Sequence, residues 1–110
     1  MGVVWITGAS RGIGFATTEK FLSNGWQVVV LTRAIEKLEP LIEEYQGQLH
    51  ICKLDLIQLD KVQLPNLPVD ILINNAGALV NKRLSQVSIA DLHKSYGVNV
   101  FGPYLLIQKL

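Results

Sequence analysis

The segment Thr7-Gly8-Ala9-Ser10-Arg11-Gly12-Ile13-Gly14 constrains this chain more than any other, because of its neighbours. It follows the apolar run Val3-Val4-Trp5-Ile6 and opens an amphipathic stretch. The order is therefore strand, tight glycine loop, helix start. Gly8 allows backbone torsions that a side chain forbids. Gly12 lets the main chain approach a ligand closely, and Gly14 lets the new helix pack tightly on the strand. The free N–H groups and positive dipole end of that helix converge on one place, which suits a diphosphate.

The rest of the chain repeats this alternation. Strands are expected at 2–6, 27–32, 49–54 and 69–73. Helices are expected at 12–24, stopped by Asn24-Gly25, and at 34–46, where Pro40 should loosen the first turn. A short helix at 57–64 precedes Pro65 and Pro68, and Ser88-x-x-Asp91 opens a long helix from 89 to the C-terminus. Alternating strands and helices with short connections predict an α/β fold of Rossmann type: a doubly wound parallel sheet between two helical layers. Right-handed crossovers give the strand order 3-2-1-4.

At 110 residues the chain is at most one domain. It is 49% hydrophobic and only 17% charged, against roughly a quarter charged in an ordinary domain. Some apolar surface is therefore expected to be covered by something else. Strand four is an open sheet edge, and the last helix runs to Leu110 without a stop signal. The sheet is thus expected to be incomplete. A net charge of +1 gives no electrostatic case for nucleic acid or an anionic membrane. No apolar run is long enough to span a bilayer, and no signal peptide is expected. The chain begins Met-Gly, but Ile6 breaks the myristoylation pattern. Cys52 stands alone and reads as a small buried hydrophobe, which fits a reducing, cytoplasmic setting. His50 and His93 are isolated, so no metal site is expected.

Three further segments bear on function: Leu54-Asp55-Leu56, Asp70-Ile71-Leu72-Ile73-Asn74-Asn75-Ala76-Gly77 and Tyr96-Gly97-Val98-Asn99-Val100. With the glycine loop, spaced G-x-x-x-G-x-G, they resemble the short-chain dehydrogenase/reductase family over the whole chain. The resemblance implies a pyrophosphate held by Gly8, Ser10, Ile13 and Gly14, with the Thr7 hydroxyl bracing the loop. It implies that Asp55 bonds the adenine amino group, Asp60 being a candidate by type that lies a helical turn too late. Asn75, Ala76 and Gly77 would let the ribose lie against the backbone, while Asn74 would tie strands together through its amide.

Strand two ends Leu31-Thr32-Arg33, with no carboxylate until Glu36. An acid there would favour NAD by accepting ribose hydroxyls, whereas Arg33 and Arg11 can meet a 2′-phosphate. NADP(H) is the expected cofactor, with NAD(H) left open. Asn99 matches the asparagine of the family's Asn-Ser-Tyr-Lys tetrad. Its backbone carbonyl would hold a water, since Pro103, four residues later, has no N–H to donate and Gly102 eases a kink. No tyrosine here is followed four residues on by lysine: Tyr45 meets Leu49, Tyr96 meets Val100 and Tyr104 meets Gln108.

The resemblance thus implies the N-terminal, cofactor-binding part of an oxidoreductase that interconverts a carbonyl and an alcohol. Residues 1–110 alone are expected not to turn over a substrate. Residues 79–84 say little about which small molecule that is. Self-association through the long helix is expected. The alternatives are a catalytically inactive nucleotide-binding or partner-binding module, and a fragment completed by another chain across strand four.

Overall fold

The computed structural model describes residues 2–78 and 81–110. A parallel sheet is built from β1 (Val3–Thr7), β2 (Gln27–Thr32), β3 (Leu49–Lys53) and β4 (Ile71–Ile73). Its order is β3-β2-β1-β4, as expected. Register pairs Trp5 with Val29 and with Leu72, so β1 and β2 lie at the centre.

Side-chain alternation along those two strands divides the core. Val3, Trp5, Val29 and Leu31 join Leu54, Leu56, Leu59 and Leu106 on one face. Val4, Ile6, Val28 and Val30 join Ala9, Leu22, Leu38 and Leu41 on the other. Both central strands are buried on two sides, which is why they read as unbroken apolar runs. The layer beside Ile6 is formed by α1 (Gly12–Ser23) and α2 (Glu39–Glu44). The layer beside Trp5 is formed by 3-10 turns at Leu56–Lys61 and by the long C-terminal helix.

Pro40 lies in the first turn of α2, where its missing N–H costs no bond, and a 3-10 turn at Glu36–Leu38 precedes it. The expected 34–46 helix is thus shorter and begins loosely. β4 is also shorter than expected, beginning at Ile71, because the Val3 N–H is taken by the Asp70 side chain instead of by a backbone carbonyl of β4. Asp70 nonetheless continues the contact with β1, donating its N–H to the Val3 carbonyl (3.0 Å) and accepting the Val3 N–H at Oδ2 (2.7 Å).

The long helix starts at the expected capping box: the Asp91 N–H donates to Ser88 Oγ (3.1 Å) and the Ser88 N–H to Asp91 Oδ2 (3.0 Å). It comprises α3 (Ile89–Tyr96), a π-helical turn at Gly97–Phe101 and α4 (Gly102–Lys109). The chain accommodates Pro103 with this wider turn, and the Gly102 N–H donates to the Gly97 carbonyl. The two glycines bring the turn against the 3-10 segment. A Cβ on Gly97 would lie 2.9 Å from Ile57 Cγ1, and one on Gly102 2.8 Å from Leu56 Cβ.

Cys52 is half-buried rather than buried, because β3 is the outer strand of the described sheet. Its covered side packs on the Trp5 cluster, and this burial pushes its thiol up. Among the described residues, no helix is long and apolar enough to cross a membrane.

Candidate functional site

The loop from β1 to α1 owes its shape to two left-handed glycines, Gly8 at φ +67° and Gly12 at φ +58°. They differ in what surrounds them. A Cβ on Gly8 would sit 2.7 Å from Ala76 Cα, so the end of β4 presses on it, while a Cβ on Gly12 would meet nothing within 4 Å. Gly14 lies underneath, where a Cβ would strike the Gly8 carbonyl oxygen and Asn75 Nδ2. The close approach expected of Gly14 is therefore to its own loop and to the end of β4. Arg11 precedes α1 in extended conformation, and no side chain caps the helix.

The Thr7 hydroxyl braces the loop, as anticipated. Its oxygen accepts the N–H groups of Asn75 (3.1 Å) and Ala76 (3.0 Å). Asn75 Nδ2 donates in turn to the Gly8 carbonyl (3.0 Å). The amide that ties the strands thus belongs to Asn75 and not to Asn74, which is exposed. The loop after β1 and the Asn-Ala-Gly turn after β4 form one hydrogen-bonded unit.

Above this unit opens a cleft of about 790 Å³. Its wall includes Gly8, Ser10, Arg11, Gly12 and Ile13 from the loop, Arg33, Glu36 and Lys37 after β2, Asp55 after β3, and Asn75, Ala76 and Gly77 after β4. Residues from four parts of the sequence meet because all four strands run parallel and deliver their C-terminal ends to one edge. Arg11 and Arg33 face the same cleft. Arg33 Nη1 lies 4.0 Å from Asp55 Oδ2, and Asp55 Oδ1 accepts the Ile57 N–H (3.1 Å). Left-handed glycines, open space at Gly12, an uncapped helix start and cations suit a phosphorylated ligand.

Two expected site residues do not line the cleft. Gly14 supports the loop from below, and Asn99 stands behind the turn that follows β4. Asn99 Oδ1 accepts the Ala78 N–H (2.9 Å) and its Nδ2 donates to the Ala78 carbonyl (2.8 Å). The Asn99 side chain, and not only the backbone carbonyl expected from the sequence, therefore has a structural role. Lys37 and Lys94, not among the expected site residues, also lie on the cleft wall. Lys37 has a sequence signal, since it lies four residues beyond Arg33 in the expected 34–46 helix. Of residues 79–84, Leu79 and Val80 lie outside the described residues.

A family model described as short chain dehydrogenase matches residues 2–110. The chain belongs to the short-chain dehydrogenase family. Among curated members of the family, it is 36% identical over 109 residues to serine 3-dehydrogenase of Rhizobium radiobacter, covering 92% of this chain and 44% of that protein. It is 38% identical over 109 residues to sulfoacetaldehyde reductase of Chromohalobacter salexigens, covering 90% and 43%. The chain thus spans less than half the length of these relatives. Solved structures of the family agree in fold. The closed form of serine dehydrogenase complexed with NADP+ superposes with a TM-score of 0.81 at 30% identity, covering 97% of this chain and 46% of that one. 4-Hydroxyisoleucine dehydrogenase complexed with NADH gives 0.87 at 26%, covering 99% and 47%. Short-chain dehydrogenases are oxidoreductases that bind NAD or NADP, and both cofactors occur among these neighbours.

Proposed function

We propose that residues 1–110 form the cofactor-binding portion of an NADP(H)-dependent oxidoreductase that interconverts a carbonyl and an alcohol on a small molecule. The carrying observation is that Arg11 and Arg33 line one cleft with the glycine loop. No carboxylate follows β2 until Glu36, which is accompanied by Lys37. A guanidinium meets a phosphate with a charged fork, whereas a carboxylate in its place would repel it.

In this reading Gly8, Ser10, Ile13 and the start of α1 hold the pyrophosphate, with Gly14 as its support. Asp55 takes the adenine amino group, and Asn75, Ala76 and Gly77 border the ribose. The nicotinamide, when bound, supplies the hydride. Asn99 keeps the turn after β4 in place and offers its carbonyl to a water in the proton relay. The remaining serine, tyrosine and lysine would come from outside residues 1–110, so this segment alone would not turn over substrate. The oxidoreductase names of the relatives favour the enzyme over an inactive module. Exposed Ile89, Leu92, Tyr96, Phe101, Tyr104 and Ile107 on the long helix support self-association.

Calorimetry on the intact protein tests the cofactor assignment. NADPH is expected to bind more tightly than NADH, and Arg33→Ala to narrow the gap by about tenfold, the worth of one charged hydrogen bond. Equal affinity, or a preference for NADH, overturns it.

A further inference from the structure

We propose that Asp55 is a specificity-positioning residue that aims Arg33 at a 2′-phosphate, in addition to any contact it makes with adenine. This inference rests on the NADP(H) reading above.

The two residues leave adjacent strands at the same level. Thr32 pairs with Lys53, and the Leu54 N–H donates to the Thr32 carbonyl (3.0 Å). Arg33 and Asp55 therefore diverge from a hydrogen-bonded anchor. Asp55 is the fixed member: its Oδ1 holds the Ile57 N–H, its own carbonyl accepts the Gln58 N–H (2.8 Å), and its side chain is 33% exposed. Arg33 is the free member, 69% exposed, with Nη1 4.0 Å from Asp55 Oδ2. A long cationic side chain with no other constraint samples many rotamers, and ordering it on binding costs affinity. A carboxylate held 4.0 Å from the guanidinium biases that sampling by charge attraction and leaves the N–H groups of the fork for a second anion. Arg11, Lys37 and Lys94 share the wall with Arg33, so the added phosphate meets a net positive surface despite Asp55 and Glu36.

The adenine contact and the positioning role predict different outcomes. Adenine is common to both cofactors, so its loss weakens NADPH and NADH equally. Positioning acts only on the cofactor carrying the extra phosphate. Asp55→Asn keeps an oxygen for the Ile57 N–H and removes the charge, and Asp55→Ser does the same if the first variant is unstable. On the intact protein, Asp55→Asn is expected to lower the ratio of NADPH to NADH affinity about twofold, the worth of an exposed ion pair at this separation. In an Arg33→Ala background the same change is expected to leave the ratio unaltered. An equal loss for both cofactors, an unchanged ratio or a raised ratio overturns the proposal. A wild-type protein without NADPH preference defeats the NADP(H) reading itself, which the same titrations report separately.

Discussion

Replacing Gly8 and Gly12 by alanine, one at a time, separates two demands that look alike in sequence. Both residues are left-handed, at φ +67° and +58°. Any L residue there costs about 1–2 kcal/mol in backbone energy. Only at Gly8 is space also lacking. An alanine Cβ would lie 2.7 Å from Ala76 Cα and 2.9 Å from Ala76 N, more than half an ångström inside ordinary contact. The obstacle is backbone that Thr7 Oγ1 and Asn75 Nδ2 hold in place, so it cannot swing aside as a side chain could. Overpacking of this kind adds about 1–3 kcal/mol. Gly8→Ala is therefore expected to destabilise by about 2–5 kcal/mol, the sum of the strain and overlap costs. Gly12→Ala should cost only the backbone part, but its methyl group would enter the cleft. Urea unfolding of the intact protein gives the stabilities, and calorimetry with NADPH gives the affinities. Gly12→Ala should lose cofactor affinity out of proportion to its stability. Equal unfolding costs for the two variants would refute the claim that the end of β4 presses on Gly8.

Other perturbations address the supports of the site. Thr7→Val keeps the buried shape but leaves the Ala76 N–H without its acceptor and the Asn75 N–H with only the Ile73 carbonyl, an expected loss of about 1–3 kcal/mol that Thr7→Ser should largely restore. Equal stability of the valine and serine variants in urea would contradict the bracing role. At the start of α3, the Lys82 ammonium, 2.8 Å away, and the Ser88 N–H hold the Asp91 carboxyl down to about 2 from 3.8. Because the folded group is the more acidic, its contribution to stability is complete above pH 3.8 and disappears as pH falls through about 2. Asp91→Asn should flatten the stability profile in that window, and a profile identical to wild type would count against the ion pair.

Much of the site was legible because its signals are local. The loop glycines, the Ser88 and Asp91 cap and Arg33 just after β2 each lie within a few residues of the elements that give them meaning. The assignment of Asn74 as the tie between strands failed for the opposite reason. Adjacent asparagines after a strand present their amides to opposite sides, and only the position of Gly8 across from β4 decides which one is used. Asn99 was chosen for its backbone carbonyl, yet its side chain grips Ala78, 21 residues away in sequence, with two hydrogen bonds.

Hydrophobic periodicity, glycine placement and turn residues determined the order of strands and helices, the sheet topology and the chemical character of the loop after β1. These are properties of short stretches, encoded in neighbouring residues. Only the tertiary structure decided that Arg33 stands beside Asp55, that Lys37 and Lys94 reach the same cleft, and that a π-helical turn seats the long helix on Leu56 and Ile57. Such meetings depend on parallel register and on how closely elements approach, and no single stretch of chain carries that information.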